Sequence, residues 1–136
     1  MCIRDRDLGE QRIELLSLLL RNVSDESVPI IARSAIIGTT RSIASDEYTQ
    51  AQRFAEIAVR AAGRTENAAI IDQASTVSSR SKVLRRPYQR VVLARQKLKD
   101  APDDMSANLT VGEFFCFMKG DFETGLPFLA LSLIHI

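Results

Sequence analysis

The chain has 136 residues, 46% of them hydrophobic, and its 18 basic and 17 acidic residues give a net charge of +1. That balance removes any global electrostatic argument for binding nucleic acid or an anionic membrane, while the apolar fraction is enough to bury a core. Only 6 Gly and 4 Pro punctuate a composition rich in Ala, Leu, Arg and Glu, which favours helices over strands.

The two ends stand apart from everything between them. Met1-Cys2-Ile3-Arg4-Asp5-Arg6 back-translates as ATG TGT ATA AGA GAC AGx, and Leu131-Ser132-Leu133-Ile134-His135-Ile136 as CTG TCT CTT ATA CAC ATC. These strings are reverse complements over their shared length. Both resemble a transposase adaptor of shotgun sequencing libraries read in frame, as a metagenomic fragment would carry. Residues 1–6 and 131–136 are therefore expected to be non-native and residues 7–130 to be one truncated helical domain. Setting aside Arg4, Asp5 and Arg6 leaves the two signs of charge equal. It also sets aside Cys2 and His135, the sole histidine. Cys116 is then the one thiol, which excludes an internal disulfide and a zinc site of Cys and His, and no cofactor is expected. Apolar runs such as Leu15–Leu20, interrupted by Ser17, fall short of the roughly 18–20 residues of a membrane span.

In chain order, the first predicted helix covers about Leu8 to Arg21, with Ile13, Leu16 and Leu20 on one face, and ends in Asn22-Val23-Ser24-Asp25. A second begins near Ser27, accepts Pro29 in its first turn, and turns Val28, Ala32, Ala35, Thr39 and Ile43 to one side. A third follows Ser45-Asp46, where Asp46 is the expected cap. It carries Tyr48, Ala51, Ala55, Ala58 and Ala62 before Gly63. The small residues on that face allow a neighbouring helix to approach closely, as in stacked helical hairpins.

The fourth segment, about Glu66 to Lys99, reads as one long helix with Ile70, Val77, Leu84, Val91 and Leu98 forming a seam at sevenfold spacing. Ser81 and Arg95 interrupt the companion positions Ala74 and Tyr88, which argues against a free coiled coil. Pro87 removes a backbone bond and crowds the carbonyl of Val83 at a cost of about 3 kcal/mol in an unadjusted helix, so a kink or break is expected between Lys82 and Tyr88. Asp100-Ala101-Pro102-Asp103-Asp104 ends this segment and caps the next.

The last stretch places Asn108, Val111, Gly112, Phe115, Gly120, Asp121, Gly125 and Leu129 in a pattern that resembles a tetratricopeptide hairpin: small residues where two helices cross and Gly-Asp at the turn. Gly112 to Gly120 is one residue longer than that repeat normally has. An internal echo accompanies it, Asp46, Tyr48, Ala51 and Phe54 paralleling Asp121, Phe122, Gly125 and Phe128. The segment Asp100 to Ala130 also resembles a helical module of large planctomycete-type multidomain proteins. That module usually shows Phe-Val-Lys-Gly-Asp-Trp where this chain has Phe117 to Phe122, and then Gly-Leu-Pro-Leu-Leu-Ala. About 30 residues carry the close resemblance. It implies a spacer or docking module without catalytic residues, lying beside other domains of a parent protein.

The fold expected is thus all-α: an antiparallel helical-hairpin array of five to six helices with one long kinked helix. Gly112, Phe115, Gly120, Asp121, Gly125 and Leu129 are the expected crossing and turn residues. Other candidate chemistry reduces to structure. Ser79-Arg80-Ser81-Lys82 satisfies a Ser-x-x-Lys pattern without the companion motifs of an acyl-transfer enzyme. Asp103 and Asp104 precede a helix as caps rather than as a cation site, and Cys116 among Phe114, Phe115, Phe117 and Met118 reads as core. Asn22-Val23-Ser24 and Asn108-Leu109-Thr110 match a glycosylation pattern, the second inside a helix. The sharper rival is the basic helix from Arg80 to Lys99, with eight basic and no acidic residues, among which Lys82, Arg86, Arg90 and Lys97 form a stripe able to meet phosphates. The function expected is a non-catalytic scaffold or protein-interaction module whose partners are other parent domains or proteins. Nucleic-acid or anionic-surface binding through that stripe is the alternative.

Overall fold

The computed structural model describes residues 3–134, with side chains from Arg6 onward; Met1, Cys2, His135 and Ile136, the outermost residues of the adaptor-like ends, lie outside the described residues. The described residues form six α-helices, α1 (Ile3–Asn22), α2 (Val28–Ala44), α3 (Tyr48–Gly63), α4 (Ala68–Asp100), α5 (Met105–Glu113) and α6 (Phe122–Leu133), with a π-helical segment at Phe114–Met118 and no strand. The fold is an all-α helical array. Where the sequence reads as one domain, the chain divides into two compact units, residues 1–83 and 84–136, with the division inside α4.

In the first unit, Ile13 and Leu20 of α1, Val28, Ile31, Ala32 and Ala35 of α2, Phe54, Ile57, Ala58 and Ala61 of α3, and Ile70 and Ala74 of α4 form one core cluster. The alanines keep the α2 and α3 backbones close. Gly38 takes this further, because a Cβ there would stand 2.5 Å from the Phe54 ring. The helix begins at Ile3 rather than near Leu8. Its Arg6 carbonyl accepts from Gln50 Nε2 at 3.1 Å and its guanidinium meets Glu47 at 3.3 Å. Glu10 and Arg53 form a further ion pair between α1 and α3.

Asp46 does not cap α3. It stands at φ 59° and closes α2 instead: its own N–H donates to Ile43 O at 3.0 Å, and the Glu47 N–H donates to Ser42 O at 2.8 Å. These are the two bonds that end a helix through a left-handed residue, a conformation aspartate tolerates better than most side chains. Its carboxylate accepts from the Tyr48 hydroxyl at 3.0 Å, and Glu47, the residue before α3, gives that helix no side-chain cap. The cap of α4 is Asn67, whose Oδ1 accepts from the amides of Ala69 and Ile70 at 3.0 and 3.2 Å.

Helix α4 continues through Pro87, so of the kink or break expected between Lys82 and Tyr88 the break is not formed. The carbonyl that proline deprives of its helix donor belongs to Val83, a residue 63% exposed, as suits a backbone group left to solvent.

In the second unit, Leu84, Val91 and Ala94 of α4 are buried, as are Ala107, Asn108 and Val111 of α5 and Phe114, Phe115 and Cys116 of the π segment. Val91 and Val111 are fully buried, each contributing about 1.5–3 kcal/mol relative to an exposed position. Tyr88 packs on Phe114 with ring centroids 5.6 Å apart, and Phe114 meets Phe115 edge-on at 5.2 Å.

Candidate interaction surfaces

The residues expected at the α5/α6 crossing are found at close range. A Cβ on Gly112 would lie 2.6 Å from Leu129 Cδ2 and 2.9 Å from the Leu129 backbone nitrogen. One on Gly125 would lie 2.5 Å from Cys116 Sγ, 2.8 Å from the Cys116 nitrogen and 3.0 Å from the Gly112 carbonyl oxygen. Helix thus meets helix backbone to backbone, and Cys116, free and buried, is part of that contact.

Between the two helices the last turn of α5 widens. The Lys119 N–H donates to Phe114 O at 3.0 Å, five residues back, and the Asp121 N–H donates to Phe115 O at 2.7 Å. Such a π turn is a local widening of the helix, and it lies within the interval from Gly112 to Gly120. Gly120 at φ 70° then reverses the chain, and Asp121 Oδ1 accepts from the Thr124 N–H at 3.1 Å to start α6.

Asp104 has the same role one helix earlier. Its Oδ1 accepts from the Ala107 N–H at 2.8 Å and its Oδ2 meets Lys97 Nζ at 3.0 Å, while Asp103 is exposed in the turn. The Ala107 amide first, and then Lys97, hold the Asp104 carboxyl below its ordinary value. The Thr124 hydroxyl and amide do so for Asp121. Asn108 is buried and its Nδ2 donates to the carbonyls of Pro102 and Asp104, each at 3.0 Å, so it clamps the α4–α5 turn and is closed to modification. The Ser81 hydroxyl donates to Ser78 O at 2.8 Å, an ordinary helix bond, while Ser79 and Lys82 are both exposed.

Of the basic stripe, Lys82 belongs to the first unit and Arg86, Arg90 and Lys97 to the second. All four are exposed, but Lys97 is engaged by Asp104. Arg95, adjacent to the stripe, lies over the Phe115 ring at 4.9 Å, a cation–π contact that holds it against the unit. Tyr88, the one aromatic residue of α4, is turned onto Phe114. The exposed ring near the stripe is instead Phe117, which shares a cleft of about 360 Å³ with Pro87, Arg90 and Phe114.

Large apolar side chains are also left open on whole helix faces. In the first unit these include Leu15, Leu18, Ile30 and Ile37, and in the second Phe117, Phe122, Leu126 and Leu133. The sequence reading missed the role of Gly38, although a signal was present: Gly38 precedes Tyr48 by the interval that separates Gly112 from Phe122. Comparison with protein-family models, curated proteins and solved structures found no match to this chain. No helix among the described residues is long and apolar enough to cross a membrane, and none of their His, Cys, Asp and Glu residues form a cluster able to hold a metal ion.

Proposed function

We propose that this chain is a non-catalytic helical scaffold or protein–protein interaction module of tetratricopeptide-like character, serving within a larger multidomain protein to space or dock what lies beside it. The observation that supports this most directly is the set of large apolar side chains standing open on the helix faces, Ile30, Ile37, Phe117 and Leu126 among them. Contiguous exposed apolar residues of this kind mark interaction surfaces, and a helix face with anchors at i, i+4 and i+7 is suited to another helix. The close resemblance of residues 100–130 to a docking module points the same way.

The second reading, an anionic polymer on the α4 stripe, draws on the juxtaposition of Arg90 and the exposed Phe117 ring. Titrating the full chain with labelled single- and double-stranded oligonucleotides, and with labelled amphipathic helical peptides of acidic, neutral and basic character, separates the two. The interaction-module reading expects saturable binding of at least one peptide class and little oligonucleotide binding at about 0.15 M salt. A submicromolar, steeply salt-dependent oligonucleotide affinity, lost in Arg86→Gln/Arg90→Gln, would overturn it.

A further inference from the structure

Between α1 and α2 the first unit holds two adjoining cavities of about 440 and 340 Å³, both lined by Arg12, Gly38, Arg41 and Phe54. The reason for the opening is local. Ser34 and Gly38 are the small α2 residues among its lining, beside Ile37 and Arg41, and neither has a side chain large enough to fill the space. Phe54, drawn onto Gly38, forms the floor.

The two helices carry matching stripes, of which Leu8, Arg12, Leu15, Ser34, Ile37 and Arg41 line the cavities. Leu8, Arg12, Leu15 and Leu19 on α1 and Ile30, Ser34, Ile37 and Arg41 on α2 each follow i, i+4, i+7, i+11, the spacing of one helix face. All five aliphatic residues of the stripes are exposed, as are both arginines. Arg12 and Arg41 line both cavities, and among the described residues neither side chain makes an ion pair or hydrogen bond. No carboxylate lines either cavity. Among the acidic residues of α1 and of the α2–α3 turn, Glu10 pairs with Arg53, Glu47 with Arg6, and Asp46 accepts from the Tyr48 hydroxyl.

From this geometry we infer that the α1/α2 groove docks an amphipathic helix of a protein partner, its apolar face on the leucine and isoleucine walls and its carboxylates on Arg12 and Arg41. This rests on the interaction-module reading and specifies its partner's chemistry. Two unpaired guanidiniums beside an uncovered apolar groove are complementary to acidic groups followed by an apolar stripe. A second copy of this chain does not supply them: a two-fold contact presents the same face to itself, and that face carries arginines and no acid.

The test uses the full chain and two labelled helical peptides with the same apolar stripe, one bearing Glu and the other Lys at one end. Fluorescence anisotropy is expected to show binding of the Glu peptide alone, weakening with added salt. Amide chemical shifts should move in α1 and α2. Arg12→Gln/Arg41→Gln should weaken binding by about tenfold, and Ile37→Glu should abolish it, with circular dichroism unchanged because all three positions are exposed. Leu126→Glu and Arg86→Gln/Arg90→Gln should leave the affinity as it is. Preference for the Lys peptide, shift changes confined to α5 and α6, or a concentration-dependent dimer that competes with the peptide overturns the groove assignment while leaving an interaction module standing. Failure of every peptide class removes both.

Discussion

In the α2/α3 hairpin the Phe54 ring lies on Gly38, whereas in the α5/α6 hairpin Leu129 lies on Gly112 and the backbone of Cys116 on Gly125. The two hairpins keep one register. Gly38, Asp46, Tyr48, Ala51 and Phe54 recur at a constant offset as Gly112, Gly120, Phe122, Gly125 and Phe128. Asp46 and Gly120 are the two residues at positive φ, so the structural counterpart of Asp46 is Gly120, and that of Glu47 is Asp121. What differs is the means. The first hairpin fills its crossing with an aromatic ring, ends α2 through aspartate and starts α3 with no side-chain cap. The second brings backbone against backbone, widens the end of α5 into a π turn and caps α6 with Asp121. One turn geometry is thus reached once by side-chain packing and once by removing side chains.

If packing carries the first hairpin, Phe54→Ala should cost about 3–5 kcal/mol, as for a large core aromatic, while Leu129→Ala at its half-buried site should cost about 2–3 kcal/mol. Chemical denaturation of the two variants measures this, and equal losses would erase the contrast. The turns give the next effect. Gly120→Ala places a Cβ at φ 70° and should lose about 1–2 kcal/mol. Asp46→Gly relieves the same conformation and should stay within about 1 kcal/mol of the parent, since the Tyr48 bond is lost as the strain is relieved.

Acid should separate the units further. Asp104 and Asp121 are held below the ordinary carboxylate value of 3.8, so their contribution is present above that value and is lost as pH falls through it toward the lowered folded values. Amide exchange measured from pH 5 downward should show α5 and α6 losing protection before α2 and α3. The reverse order would show that these caps are not what holds the second unit. The smallest effect is expected at the N-terminus. Deleting residues 1–6 removes the Arg6–Glu47 pair and the Gln50 bond, worth about 1 kcal/mol or less for such an exposed pair, and a thermal melt should move by no more than a few degrees.

Much of the architecture was legible in the sequence because helix periodicity and small-residue faces are local signals. The extent of α4 and the capping role of Asp104 follow from them, and so does the meeting of small residues with Leu129. The misplaced features depend on what neighbouring atoms do. Asp46 reads as a cap by residue type, yet the bonds from Asp46 and Glu47 back to α2 commit it to ending that helix. Pro87 reads as a kink or break, but helix continues on both sides of it. The π turn is not marked by spacing, since Gly38 to Asp46 spans the same interval as Gly112 to Gly120 without one, and the division at Val83 has no compositional mark at all. The α1/α2 groove was illegible for a similar reason: Arg12 and Arg41 are far apart in the chain, and nothing in either helix alone shows that they line one cavity.

The measurement that bears most directly on the hairpin architecture, and through it on the proposed role, is chemical denaturation of Gly112→Leu and Gly125→Leu beside Glu113→Leu, an exposed position. An isolated helix would gain up to about 1 kcal/mol on losing a glycine. At these crossings the added side chain meets backbone atoms of Leu129 and Cys116 that have no room to retreat. Both glycine variants should therefore lose about 1–3 kcal/mol, with Gly125→Leu the worse, while the control stays near the parent. Glycine variants as stable as Glu113→Leu, or more so, would contradict the crossing and with it the array of helix faces on which the interaction reading depends.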